Sequence, residues 1–216
     1  VQPDTIEALS IPTQQISRVI KVGNELTSEQ RALLENVVDV SKIPEYYCHG
    51  ISDPIKNLVR ERGNQSYLID HKGDFLKLYV QLEMKYPLSY LFGWVDQTKG
   101  YWNGGYDYWR WHLETQGNAY GIVRHTGSET VKHLVEEYFS FFETSPLLQA
   151  FLSIGLHSWL AFAGAYGAWV KRDRRALLVA AVPILVVLSL LAATPVYAEF
   201  RYAYSLFCSM PFLLTV

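Results

Sequence analysis

The chain has 216 residues, carries 19 lysines and arginines against 21 acidic residues for a net charge of −2, and contains two cysteines. That balance gives no electrostatic support for general nucleic-acid binding, and Cys48 and Cys208, far apart in unlike segments, do not make a disulfide-stapled secreted module. A mean hydropathy near zero hides two parts, a polar first two-thirds and an apolar remainder.

The polar part reads as short helices. Pro12 to Val22 has proline in its first turn, Ile16, Val19 and Ile20 on one face, and Gly23 to end it. Thr27-Ser28-Glu29-Gln30 matches a capping box, with Thr27 as cap and Gln30 reaching back. A helix through about Val38 should follow, with Leu33, Leu34 and Val37 inward. Asp53-Pro54 pairs a capping side chain with proline and should open a helix through Arg60. From His71 to Tyr86, Phe75, Leu78, Tyr79 and Leu82 have the spacing of one buried stripe. Pro87 breaks that helix and starts another, with Leu88, Leu91, Phe92 and Val95 expected inward. No stretch sustains a two-residue alternation, so few or no strands are expected.

Residues 100–127 differ. Tyr101, Trp102, Tyr106, Tyr108, Trp109, Trp111 and Tyr120 lie among glycines, and helical periodicity is lost. This reads as a loop region close to a membrane surface. Glu129 to Phe142 is then an amphipathic helix with Val131, Leu134, Val135 and Tyr138 on one side.

From Leu147 to Val170 lie roughly 24 residues without formal charge, and Ala176 to Ala198 is of similar length. Each is long enough to cross a bilayer as a helix. Lys171, Arg172, Asp173, Arg174 and Arg175 lie between them. The expected architecture is therefore all-α: a domain of packed short helices over residues 1–145, then a transmembrane hairpin (about 147–170 and 176–198) and a partial third span (203–216). The alternative is a buried helical hairpin in a large soluble core. The cationic loop should stay cytoplasmic, which places residues 1–145 outside the cell membrane and makes the protein multi-pass. No signal segment precedes the polar region, so an upstream span is expected to deliver it, and the chain reads as a late or inner part of a longer protein.

Several residues are candidates for chemistry. The aromatic loop can stack on sugar rings, anchor at the headgroup level or pack into the core, and its proximity to a span favours anchoring or core packing over ligand binding. Glu199 and Arg201 directly follow an apolar span; Arg201 either snorkels and pairs with Glu199 or a headgroup, or meets a lipid-linked phosphate through its guanidinium fork. Thr194-Pro195 should kink or end the second span. His157, inside the first span, should face the bundle interior. His133 with Glu136, and Asp70 with His71, have no companion cluster at ligand spacing, so no metal site is expected. No phosphate loop, dinucleotide fingerprint or nucleophile elbow is present, and no cofactor is expected.

The segments Glu7 to Ile16, Ser52 to Lys56, Gly73 to Leu78, Gly100-Tyr101-Trp102 and, most specifically, Thr194 to Tyr204 resemble those of an uncharacterised bacterial family of multi-spanning membrane proteins. Such proteins resemble the integral-membrane C-class glycosyltransferases, which take sugars from polyprenyl-phosphate donors at the outer membrane face. The resemblance covers essentially the whole chain. It implies a role in cell-envelope polysaccharide assembly, with the lipid bilayer, a polyprenyl-phosphate sugar and a glycan acceptor as partners and no nucleic acid. Arg201 and Tyr202 would hold the donor phosphate, with Glu199 and Tyr204 beside them, and Tyr101 and Trp102 would meet the acceptor. The superfamily's usual catalytic carboxylate lies in a first outer loop, upstream of the residues seen here. The alternative is a non-catalytic membrane scaffold or polysaccharide transport component.

Overall fold

The computed structural model describes residues 5–106, 121, 128–193 and 198–213. Among them the chain is all-α, and its one β pairing is an isolated bridge between Cys48 and Ile51. It divides into two compact units, residues 1–99 with 188–198, and residues 100–187 with 199–216. The division expected at residue 145 follows composition, whereas the units follow packing.

The first unit contains α1 (Thr5–Ala8), α2 (Ser10–Lys21), α3 (Ser28–Glu35), α4 (Ile43–Tyr46), α5 (Asp53–Arg62), α6 (Gln65–Asp70), α7 (Lys72–Lys85) and α8 (Pro87–Thr98). Helix α2 is its centre and touches α1, α4, α5, α7 and α8. Ile16 and Val19 are buried in the apolar cluster with Leu34, Leu58, Phe75, Leu78 and Leu82. The other faces of α2 bury polar side chains, most of which find partners on the helix itself or on neighbouring segments. Thr13 and Ser17 donate to the carbonyls of Leu9 and Thr13 at 2.7 Å each. Gln15 accepts from the Tyr79 hydroxyl at 2.6 Å, and Gln14 donates to the Cys48 carbonyl at 2.7 Å. A helix surrounded on several sides must place polar residues inside, and it pairs most of their polar atoms; Gln14 Oε1 and Arg18 Nε are buried with no hydrogen-bond partner among the described residues.

The sequence signals for helix ends are fulfilled with small shifts. Gly23, at φ +80°, ends α2. The capping box of α3 makes both of its bonds, Gln30 N–H to Thr27 Oγ1 at 3.2 Å and Thr27 N–H to Gln30 Oε1 at 3.0 Å. That helix stops at Glu35, short of the expected Val38. Asp53 does not cap α5: the capping position is Ser52, and the Asp53 carboxylate pairs instead with Lys56 at 2.6 Å.

Helix α8 reverses expectation. Leu88, Leu91 and Phe92 are 66, 51 and 52% exposed, and the buried face carries Tyr90, Gly93, Gln97 and Thr98. The reason is the polar surface of α2 opposite. A Cβ on Gly93 would stand 3.4 Å from side-chain carbons of Gln15 and Arg18, so the two helices approach closely along a small, polar strip. The larger apolar side chains are turned outward.

The second unit contains α9 (Glu129–Thr144), α10 (Pro146–Phe151), α11 (Ile154–Val170), the greater part of α12 (Arg174–Ala193) and α13 (Phe200–Leu213). Val131, Leu134, Tyr138 and Phe141 of α9 are all more than half exposed, so this amphipathic stripe is not core. The first apolar stretch is not one helix from Leu147 to Val170. It breaks at Leu152–Ser153, where Ser153 caps α11 by accepting from Leu156 N–H at 3.2 Å. Helix α13 starts at Phe200, before the expected Ala203, and packs Ala203, Leu206, Met210 and Leu213 inward, toward α11.

Among the described residues one helix, α12, is long and apolar enough to cross a bilayer. Its 20 residues rise about 30 Å, the thickness of the hydrocarbon core. Only 22% of its apolar window is buried within the chain, and Leu178, Val182 and Leu185 are each more than 60% exposed. Between α11 and α12 the chain turns in three residues. Asp173 N–H reaches back to the Ala168 carbonyl at 2.9 Å, closing α11 in a six-residue ring with Arg172 left-handed at φ +57°. Asp173 Oδ1 then accepts from Arg175 and Ala176 N–H at 2.9 and 3.1 Å and starts α12. A side chain at this φ is strained, so Arg172→Gly should stabilise the protein by about 0.5–1 kcal/mol, the strain relieved minus glycine's added unfolded-state entropy. A raised unfolding midpoint in detergent micelles checks this.

Candidate functional site

The charged motif behind the second apolar segment opens α13. Its sequence alternates apolar anchors with polar positions: Ala203 and Leu206 face inward, which turns Arg201, Tyr202 and Tyr204 outward. Arg201 Nε donates to Glu199 Oε2 at 2.6 Å, with the arginine side chain 66% and the glutamate 28% exposed. The guanidinium carbon lies 4.8 Å from the Tyr202 ring centroid, and the Tyr202 N–H bonds the Glu199 carbonyl at 3.2 Å. Carboxylate and ring thus hold one edge and one face of the guanidinium, while the group remains open to solvent. Phe200 stacks at 5.3 Å on Phe207, whose ring lies 4.2 Å from His157 of α11. Arg201, Glu199 and Tyr202 therefore form one cluster, with Tyr204, 68% exposed, two residues further along the same helix.

An exposed guanidinium of this kind binds phosphate or carboxylate oxygens in a fork. As an isolated surface pair it contributes little to stability, so its geometry is better placed to hold a ligand than to hold the fold. Thr194-Pro195, expected to kink or end the second span, lies outside the described residues.

Tyr101 and Trp102 sit elsewhere in the same unit. Tyr101 is fully buried in a 3-10 turn at residues 99–101. The Trp102 carbonyl accepts the indole N–H of Trp159 at 2.7 Å. Gly104 accepts from the Ser153 hydroxyl at 2.9 Å. This stretch is docked onto the start of α11, and its tyrosine is inside it. Tyr108, Trp109, Trp111 and Tyr120 lie outside the described residues. His157 is 8% exposed, as expected of a polar residue facing the bundle interior. Its Nδ1 lies 2.7 Å from the Ser153 carbonyl, which requires the proton on Nδ1.

Sequence reasoning missed a second cluster, in the first unit. Asp96 of α8 accepts from Arg18 of α2, and its Oδ2 lies 2.9 Å from His49 Nδ1. Arg18 also stands 3.4 Å from the Tyr47 hydroxyl and covers the Phe92 ring at 5.8 Å. His49 occupies a tight turn closed by the Cys48–Ile51 bridge, with Gly50 at φ +76°. Opposite the Asp96 carboxylate, Nδ1 acts as the donor. Burial pushes the Tyr47 phenol up, against the pull of Arg18. Positions 18, 49 and 96 have no motif spacing, so only the fold reveals the group. Among the described residues no three His, Cys, Asp or Glu side chains gather to hold a metal ion.

No curated protein and no solved structure matches the chain. A family model described as "Family of unknown function (DUF6020)" matches residues 1–216, and the chain therefore belongs to that family.

Proposed function

We propose that this chain is part of an integral-membrane glycosyltransferase of cell-envelope polysaccharide assembly, which moves a sugar from a polyprenyl-phosphate donor to a glycan acceptor. The reading combines the likeness of the Thr194 to Tyr204 segment to C-class enzymes with one geometric observation. A two-thirds-exposed guanidinium, steadied by Glu199 and Tyr202, stands at the start of α13, a few residues after the apolar helix α12. In this reading α11 and α12 form a multi-pass hairpin around a cytoplasmic Lys171–Arg175 loop, and residues 1–145 are extracytoplasmic. The Arg201 end of α13 then lies at the outer interface, where a lipid-linked phosphate would sit.

The chemistry asked of Arg201 is charge stabilisation. An acceptor hydroxyl oxygen attacks the anomeric carbon and gives up its proton to a carboxylate general base, which the resemblance places upstream of these residues. The bond from that carbon to the phosphate oxygen breaks, and the electron pair stays on the phosphate. A guanidinium fork at the departing oxygen favours that charge. Tyr202 and Tyr204 flank the lipid portion of the donor.

Arg201→Ala in the full-length protein should lower lipid-linked sugar turnover by about 10²-fold, and Arg201→Lys should restore part of it, since a point charge replaces the fork. Unchanged turnover and unchanged envelope glycan, with the variant still inserted in the membrane, would sink the enzyme reading and favour a scaffold.

A further inference from the structure

Among the described residues the outward face of α8 is largely exposed, with the Arg18 guanidinium over Phe92 at one edge, and the bond from α8 to the end of α12 says what covers the rest. Helix α8 is inverted: its small and polar residues are packed against α2, while Leu88, Leu91 and Phe92 point the other way. Beside them, the indole N–H of Trp94 donates to the Leu191 carbonyl at 2.8 Å. Leu191 lies in the last turn of α12, where backbone carbonyls have no intrahelical donor. Trp94 therefore fastens α8 to the terminus of the one helix able to cross a bilayer. Tryptophan with its N–H satisfied and its ring against apolar surface belongs at the headgroup boundary.

We infer that the Leu88–Leu91–Phe92 face of α8 rests on the bilayer, at the boundary of headgroups and acyl chains around the end of α12. The inference depends on the proposal that α12 spans the membrane, and it adds which surface of the first unit meets lipid. The three side chains that meet lipid are uncharged, so apolar burial and not attraction to anionic headgroups drives the contact, and salt should not release it.

The test uses the full protein with Cys48→Ser and Cys208→Ser, reconstituted in phosphatidylcholine vesicles. A fluorophore is attached at Leu91→Cys, at Leu185→Cys on α12, or at Glu61→Cys on the aqueous surface. All three positions are exposed, so folding is preserved, and circular dichroism verifies it. Expected is quenching of positions 91 and 185 by nitroxide-bearing lipids, and loss of iodide quenching at 91 relative to 61, unchanged by added salt. If 185 is quenched by lipid but 91 only by iodide, the inference is overturned while the span stands. If 91 is shielded from both quenchers, protein covers the face and the inference is likewise overturned. If 185 is not quenched by lipid, the span itself falls, and the inference with it.

Discussion

Replacing Gly155 with alanine should cost the protein about 3 kcal/mol, the upper range for forcing an extra carbon into a packed site. Gly155 is the second residue of α11, and a Cβ there would stand 2.6 Å from the carbonyl carbon and oxygen of Asn103 and 2.9 Å from its nitrogen. All three neighbours are backbone, so no rotamer change relieves the overlap. The segment cannot retreat without losing the Trp159 bond to the Trp102 carbonyl and the Ser153 bond to the Gly104 carbonyl. Gly164→Ala, nine residues further along α11 and facing α13, is the control. Its Cβ would meet Leu213 at 3.8 Å, an ordinary contact, and the variant should unfold near the parent midpoint. Thermal unfolding in one detergent, with both variants side by side, checks the contrast. Equal midpoints would mean that residues 101–104 are not seated on α11.

The second large effect is expected at Lys56. Its side chain is 3% exposed and bonds Glu7 at 2.9 Å and Asp53 at 2.6 Å, while Arg60 also reaches Glu7. These pairs tie α1 to α5. Lys56→Ala leaves a void and two carboxylates without their shared cation. Because Glu7 and Asp53 are about half exposed and water can reach them, the loss should be about 2 kcal/mol, below the 3–5 of a wholly buried pair. Lys56→Met, which keeps the apolar stem, should lose less.

The same pairs give stability a pH dependence. The Lys56 hydrogen bond, with help from Arg60 and against desolvation, holds the Glu7 carboxyl below its ordinary 4.5. That contribution is present above pH 4.5 and fades as pH falls through the lower folded value. Desolvation disfavours the Lys56 charge, but Asp53 and Glu7 outweigh it and raise the ammonium above 10.5. That contribution is present below pH 10.5 and fades as pH climbs through the folded value. Lys56→Met should shrink both limbs, since burial still raises the Tyr47, Tyr79 and Tyr90 phenols at the alkaline end and Arg60 still meets Glu7 at the acid end. Unfolding midpoints across pH 3–12 read both limbs.

How much of this was legible in the sequence depended on whether a signal was local. The capping box at Thr27–Gln30, the Gly23 stop and the Phe75–Leu78–Leu82 stripe are read from residues a few positions apart, and each is realised. The orientation of α8 is not local. Its apolar residues mark a face, but which face is buried was set by the polar side chains of α2 and by the close approach at Gly93. The break at Leu152–Ser153 is equally remote, because it accommodates backbone around Asn103 roughly fifty residues earlier. Of the site, Glu199, Arg201 and Tyr202 were legible because they are neighbours in the chain. Aromatic composition leaves a surface platform and a buried plug both open at Tyr101, and only the fold shows that its side chain is buried. The Arg18–His49–Asp96 group joins three distant segments and leaves no periodic trace.

The first unit includes Leu188–Ala198 as well as residues 1–99, with Trp94 bonded to Leu191. That discontinuity orders events during synthesis. While the nascent chain is still being translated through residues 100–187, the earlier helices have emerged but lack their closing segment. Domains generally mature as they leave the ribosome; this one must wait until residues 188–198 have been added. Maturation of the first unit is thereby timed by completion of the apolar helix, so a stall within that helix would leave the first unit unfinished too.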